Sequence, residues 1–111
     1  MNQKFKVELL EEAFDFLEKM EMKPRKKVLQ NMNRAKFLTD PKLFKKLEGE
    51  IWEFRTLYAW FQYRLLAFWD KSDRTETLVF ATHGYVKKTN KVDKREINKA
   101  EHIRQLYFKN K

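Results

Sequence analysis

Residues 84–91 combine side chains that could bind a phosphate with one neighbour that could move a proton beside it. The stretch contains Lys87, Lys88 and Lys91, three lysines within five residues, and His83 comes directly before it. Because clustered ammonium groups repel one another, a sequence that keeps them together usually meets a polyanion. Histidine is the side chain that titrates near neutral pH. The pattern therefore favours a site that holds an RNA phosphate and transfers a proton next to it.

The net charge of +9 is unevenly distributed along the 111 residues. Residues 86–111 contain nine Lys and Arg against three acids, so this segment carries +6. Residues 23–27 contribute four more cations. A basic domain of this kind binds nucleic acid or an anionic membrane, or uses its charge for solubility alone.

Composition predicts one folded domain over residues 1–111, and its 42% hydrophobic residues can fill one core. The absence of cysteine excludes disulfides and thiolate chemistry and predicts the cytoplasm. The first residues lead into an acidic stretch without an apolar signal core. The longest apolar runs have five residues, against the ~20 that span a bilayer, so no membrane association is expected.

Other catalytic chemistries find no support in the sequence. Two histidines, no cysteine and no carboxylates clustered at ligand spacing predict neither a metal site nor a cofactor. No glycine-rich phosphate loop is present. Ser72 has no adjacent histidine, which argues against serine hydrolase chemistry.

The N-terminal part predicts a short edge strand at residues 5–9 and then two helices that form a hairpin. Helical spacing marks residues 11–20 and residues 24–38, with Pro24 in the first turn of the second helix. Residues 42–47 then predict a short helical turn. The residues expected to face the core are Ala13, Phe14, Leu17 and Met20 in the first helix, and Val28, Met32, Ala35 and Leu38 in the second.

After Gly49 the hydrophobic period changes to that of strands. Residues 52–55 alternate apolar and charged side chains, residues 63–69 are apolar on both faces as in a central strand, and residues 77–82 predict a third strand. Short connections make these strands antiparallel. Because nothing in residues 50–70 breaks a helix and the aromatic link at residues 58–61 lacks hairpin turn residues, a helix remains an alternative there.

A C-terminal helix is predicted after Asp93, which forms a possible capping box with Glu96. Its apolar face would consist of Ile97, Ala100, Ile103 and Tyr107.

Four stretches in register resemble the RelE/ParE toxin superfamily, specifically the phage-derived, host-inhibition-of-growth HigB branch. They are KLEGEIWEFR at residues 46–55, YRLL at 63–66, HGYVKKTNK at 83–91 and EINKA at 96–100. Their order and spacing agree with the family across about residues 45–104. The chain departs from the family at Val92-Asp93, where Thr-Pro is usual, and at the tip after Arg55, which is aromatic and lacks the common glycines.

The resemblance implies an α+β fold in which an N-terminal helical hairpin packs on a small twisted antiparallel sheet, with a C-terminal helix. It implies the toxin of a type II toxin–antitoxin system, a metal-independent endoribonuclease (mRNA interferase) acting on ribosome-bound mRNA. The implied partners are mRNA, the ribosome and a cognate antitoxin of the helix-turn-helix type. Operator DNA would be bound only through the antitoxin complex.

The expected chemistry is attack of the ribose 2′-hydroxyl on the scissile phosphate, with fixed cations stabilising the charge that develops. The candidate catalytic residues are Arg64, His83, Lys87 and Lys88. The candidate RNA-binding residues are Arg55, Tyr85 and Lys91. His83 is the better proton carrier and Tyr85 the weaker one.

Each candidate also has a structural interpretation. Arg64 could pair with Glu53 across the sheet, His83 could bond a carbonyl at a strand end, and the lysines could form a solvated loop. The aromatic residues Tyr58, Trp60 and Phe61 could lie in the core, stack on a base or seat an antitoxin helix. A gyrase-poisoning ParE-like toxin and a non-catalytic nucleic-acid-binding module remain alternative functions.

Overall fold

The computed structural model describes residues 2–91 and 93–111, and within them the chain forms three helices and a five-stranded sheet. The family's usual Thr-Pro position begins at Val92, which lies outside the described residues, as does Met1. The elements in chain order are β1 (Lys6–Leu9), α1 (Glu11–Glu18), α2 (Met22–Ala35), β2 (Phe44–Glu48), β3 (Ile51–Tyr58), β4 (Phe61–Asp70), β5 (Leu78–Lys87) and α3 (Lys94–Lys109).

The predicted α+β class is confirmed, but the sheet is mixed and larger than expected. Its strand order is β1-β5-β4-β3-β2, with β4 at the centre as residues 63–69 predicted. The pairs from β2 to β5 are antiparallel, whereas β1 runs parallel to β5. The helical turn predicted at residues 42–47 is wrong because Phe44 pairs with Phe54 and this segment adds an edge strand to β3.

The two N-terminal helices pack on one face of the sheet. In α1 the stripe facing the core contains Ala13, Phe16 and Leu17, spaced as neighbours on one helical face. The prediction that Phe14 faces inward is wrong: this ring is 51% exposed, because it lies beside that stripe and not on it. In α2 the predicted residues Val28, Met32 and Ala35 are buried, and the helix ends before half-buried Leu38.

Helix α3 packs on the opposite face of the sheet. Ile97 and Ala100, which were predicted for its apolar face, are buried in a cluster that includes Leu66 and Phe68 of β4. The Asp93 side chain caps α3 by accepting a hydrogen bond from the backbone N–H of Arg95 at 3.0 Å. Glu96 does not complete the predicted capping box, because its carboxylate is bonded to the sheet instead.

The C-terminal end of α3 is joined to the end of β4 through a buried carboxylate. Asp70 is 2% exposed and accepts hydrogen bonds from the Tyr107 hydroxyl at 2.6 Å and the Lys111 ammonium at 2.6 Å. The Ser72 hydroxyl and backbone N–H also donate to it. Burial alone would raise the pKa of Asp70, but these hydrogen bonds outweigh it and hold the pKa well below its usual range.

Within residues 2–91 and 93–111, no helix is both long enough and apolar enough to cross a membrane.

Candidate functional site

Three neighbouring strands place nine side chains in three rows on the sheet face that α3 partly covers. Opposite residues of paired strands share a face, and residues two apart along a strand do too. We call these nine residues the grid. Its rows, read from β3 through β4 to β5, are Glu53, Leu66 and His83; Arg55, Arg64 and Tyr85; and Leu57, Gln62 and Lys87.

A β-bulge in β5 creates the third column of the grid. Leu66 pairs with His83 while the next residue, Ala67, pairs with Ala81, so Thr82 is an extra residue in the strand. Because strand side chains alternate between faces, one extra residue moves every later side chain to the other face. The bulge therefore turns His83, Tyr85 and Lys87 to the same side as Arg64.

The buried carboxylate of Glu53 holds two guanidinium groups in place. Its Oε1 lies 3.4 Å from Nε of Arg64 and its Oε2 lies 3.5 Å from Nε of Arg55. Glu53 is only 3% exposed, and Arg64 is 4% exposed. Arg64 therefore forms the ion pair with Glu53 across the sheet that its structural interpretation predicted. One negative charge stands between two positive ones, so this cluster keeps a net positive charge.

Arg64 also lines a cleft at the surface of the grid. Its terminal nitrogens donate to the side-chain oxygen of Gln62 at 2.7 Å and the backbone carbonyl of Tyr63 at 3.2 Å. The cleft has a volume of about 330 Å³, and Lys42 and Arg55 also line it. Burial lowers the pKa of Arg64, and the opposing attraction of Glu53 limits this effect. An arginine remains protonated near neutral pH, so the cleft has a fixed positive floor.

His83 lies under α3 and does not face the cleft. Its Nε2 is 2.9 Å from Oε1 of Glu96 and its Nδ1 is 2.9 Å from the hydroxyl of Thr82. The residue is only 3% exposed. Burial lowers the pKa of His83, against the raising effect of the hydrogen bond to Glu96. The geometry makes His83 a contact between sheet and helix, and proton transfer to a substrate would require α3 to move.

Tyr85 lies opposite Arg64 in the middle row of the grid. Burial raises the pKa of Tyr85 to about 12, and the nearby carboxylates of Glu53 and Glu96 act in the same direction. The phenol is therefore protonated near neutral pH and is suited to donate a hydrogen bond to an anion.

The predicted lysines lie at the end of β5, where Lys87 belongs to the grid and Lys88 and Lys91 follow it. Lys87, Lys88 and Lys91 line a second cleft of about 300 Å³ together with Tyr85 and Arg95. Lys88 and Lys91 are exposed, and Lys87 is partly buried. The two clefts adjoin the grid at Arg64 and Tyr85, which are paired on neighbouring strands.

The sequence-predicted residues thus converge on one face of the sheet, but two of them, Arg64 and His83, are buried. Arg55, Arg64 and Tyr85 form the middle row of the grid and Lys87 belongs to the outer row, while His83 lies on the same face under α3. Sequence reasoning missed Gln62 and Lys42. Gln62 could have been found, since a residue two before Arg64 in a strand lies on the same face. Lys42 could not, because its segment was interpreted as a helical turn.

Among the residues that the structure describes, His, Asp and Glu side chains form no group of three or more that could hold a metal ion.

Comparison with known families gives one match that covers most of the chain. The model of the family described as "Phage derived protein Gp49-like (DUF891)" matches residues 15–105. The matched part runs from within α1 almost to the end of α3 and includes the whole grid. A search of curated proteins found no match.

Proposed function

Because the chain belongs to the Gp49-like phage-derived protein family, a family of RelE/HigB-like toxins, we propose that it is a HigB-like toxin that cleaves mRNA on the ribosome. The observation that carries this proposal is the pairing of Arg55 with Arg64, which both line a basic cleft at the surface of the grid. Two like charges directly opposite each other destabilise a sheet. Glu53 supplies only one negative charge against the two arginines, so the excess positive charge of this cluster favours a polyanionic ligand.

The proposed reaction needs cations and proton transfers but no cofactor. The ribose 2′-oxygen forms a bond to phosphorus and loses its proton, while the bond from phosphorus to the 5′-oxygen breaks and that oxygen gains a proton. The products are a 2′,3′-cyclic phosphate and a 5′-hydroxyl end. The phosphorane that forms in between carries extra negative charge, which preorganised cations and hydrogen-bond donors stabilise.

In this proposal the grid holds the scissile phosphate over its middle row. Arg64 supplies a fixed positive charge from the floor of the cleft, and Arg55, which is 28% exposed in its side chain, contacts phosphate oxygens directly. The hydroxyl of Tyr85 donates a hydrogen bond to the same phosphate. Lys87 and Lys88 stabilise the developing charge from the side.

Lys91 lies in the second cleft and would bind a neighbouring phosphate of the same strand. His83 serves as a positioning residue through Glu96, since its ring is covered by α3.

The proposed partners follow from the toxin family and from the charge of the grid. A cognate antitoxin, expected to carry a helix-turn-helix domain, would cover the basic face and block access of RNA to it. Operator DNA would then be contacted by the antitoxin within the complex. The charge of the toxin predicts that the covering segment is acidic.

The test is cleavage of mRNA during translation in a purified system. Lys87→Gln removes one cation from the outer row and should lower the cleavage rate on the order of a hundredfold. Lys109→Gln, which removes an equal charge from an exposed position near the end of α3, is the matched control. Arg64→Lys keeps the charge opposite Glu53 but loses the planar fork, so it tests the guanidinium without leaving a buried carboxylate unpaired.

Other results would replace the proposal with one of its alternatives. Inhibition of DNA supercoiling with translation unaffected would indicate a ParE-like gyrase inhibitor. Salt-sensitive binding to naked nucleic acid, without cleavage and without toxicity on expression, would indicate a binding module.

A further inference from the structure

Trp60 projects into solvent from the turn between β3 and β4. Trp60 is 96% exposed, although tryptophan normally buries most of its large apolar surface. The turn has two residues, Ala59 and Trp60, between Tyr58 and Phe61, which close the strand pair. A large aromatic residue is thus held outside the core by the tightest connection that antiparallel strands can use.

The backbone of this turn is unfavourable for the residues that occupy it. Ala59 has a φ of +48° and Trp60 a φ of +72°, the left-handed conformation that glycine and asparagine adopt readily. Two-residue hairpin turns of this type favour Asn-Gly for that reason. The sequence therefore keeps a bulky ring at a position where glycine would fold more easily, and such strain commonly marks a functional residue.

The turn extends the same hairpin that carries the two arginines of the grid. Trp60 lies four residues before Arg64 along the chain, roughly 13 Å away for an extended strand. Between them, the outer row of the grid places Leu57, which is 64% exposed, beside Gln62 and Lys87. The basic face thus continues toward an apolar, aromatic tip.

We propose that Trp60 is a stacking platform for an unpaired base of the RNA whose backbone crosses the grid. This inference rests on the proposed RNA-cleaving function and adds to it a residue that positions the substrate. Stacking on an aromatic ring suits every base, because each base has a flat π-face. A base fixed at the tip would limit which phosphate reaches the middle row, so Trp60 would contribute to positioning along the strand.

The surroundings of Trp60 favour RNA over a protein partner. Trp60 lies at the end of a hairpin whose one face carries Arg55, Arg64 and Lys87. An aromatic side chain next to a positively charged groove is the combination used to bind single strands.

The test is binding of a fluorescently labelled single-stranded RNA by purified protein, with two variants of the same turn. Trp60→Gly removes the ring and relieves the backbone strain, so it should raise the urea midpoint of unfolding while weakening RNA binding about 5- to 150-fold. Ala59→Asn also relieves strain but keeps the ring, so it should raise the midpoint and leave RNA affinity unchanged. Opposite changes in stability and affinity cannot come from damage to the fold.

A series of RNAs with one base removed at successive positions locates the stacked base. Wild type should lose affinity at one position, and Trp60→Gly should show no such position. Equal affinity of Trp60→Gly and wild type would overturn this inference and leave a protein contact as the role of the tip. If Lys87→Gln weakened binding in that case, the proposed function would still stand. Failure of wild type to bind or cleave RNA would overturn both.

Discussion

Arg55 and Arg64 lie directly opposite each other on neighbouring strands, and both guanidinium groups are within 3.5 Å of the buried carboxylate of Glu53. Within this cluster Glu53 serves stability, and the two arginines supply the charge for the proposed function. The carboxylate offsets the repulsion between the arginines, and the arginines keep the excess positive charge that a phosphate would meet. Both groups therefore depend on a residue that a ligand need not touch.

Glu53→Gln should destabilise the fold by about 3 kcal/mol, because it leaves two buried or half-buried guanidinium groups without their counter-charge. The free energy of unfolding is measured by urea denaturation. Glu50→Gln, at an exposed position in the β2–β3 turn, is the control and should change stability little. Equal effects of the two changes would show that the carboxylate of Glu53 does not support the arginines.

Gly84→Ala should destabilise the protein by about 2 kcal/mol, because the face of β5 opposite the grid lies against α1. A Cβ at this position would come within 2.3 Å of a ring carbon of Phe16. In a Phe16→Ala background the same change should cost much less, since the ring is gone. A double-mutant cycle on the unfolding free energy checks this. Equal costs of Gly84→Ala in both backgrounds would contradict the contact.

His83 should make stability depend on pH in the mildly acidic range. Its folded pKa is lowered, mainly by burial, so its contribution is complete above the usual value of about 6.5 and is lost as the pH falls through the lower folded value. Urea denaturation at a series of pH values measures this slope. His83→Gln, which does not titrate, should remove it, and His102→Gln at an exposed position should not.

The same pair of variants tests whether His83 also transfers a proton during cleavage. If His83 only positions α3, the cleavage rate of the His83→Gln variant should fall only in proportion to its smaller folded fraction. Loss of cleavage at full stability would instead return His83 to the reaction.

Asp70→Asn should lower stability by about 2 kcal/mol, because hydrogen bonds from Tyr107 and Lys111 would lose their charged acceptor. The lowered pKa of Asp70 also predicts a pH dependence in wild type. The stabilisation is complete above the unfolded value of about 3.9 and is lost as the pH falls toward the lower folded value. Thermal unfolding between neutral and acidic pH measures both effects, and Asp15→Asn on the outside of α1 is the matched control.

The hydrophobic pattern predicted two of the three strands that carry the grid, with a helix left as the alternative over residues 50–70. The third strand was predicted to end at Thr82, which is wrong because β5 continues to Lys87. Residues 52–55 alternate apolar and charged side chains and residues 63–69 are apolar on both faces, as in the observed strands β3 and β4 that carry Arg55 and Arg64. The apolar run around Leu66 and Phe68 also indicated a strand covered on both faces, which the structure confirms. Side-chain periodicity is a local property of the sequence. It predicts the structure correctly where the packing on both faces of the strand matches the hydrophobic pattern.

Three features depended on contacts that the sequence does not display. The bulge at Thr82 decides which face His83 occupies, and no residue type there signals an extra position. Segment β2 became a strand because the edge of β3 was available to pair with it. The turn at Ala59 and Trp60 lacks the usual glycine, since its backbone is held by the flanking strands and not by local preference.

The parallel pairing of β1 with β5 sets an order for folding during synthesis. Lys6 pairs with Leu78, so the first strand reaches its place only after most of the chain has left the ribosomal exit tunnel. Strands β2 to β4 are joined by short turns and can pair earlier. A nascent chain that stops before β5 would lack Tyr85 and Lys87 and would leave the apolar faces of β4 without a neighbour on that side. Such a chain would be prone to aggregate and would present an incomplete basic surface.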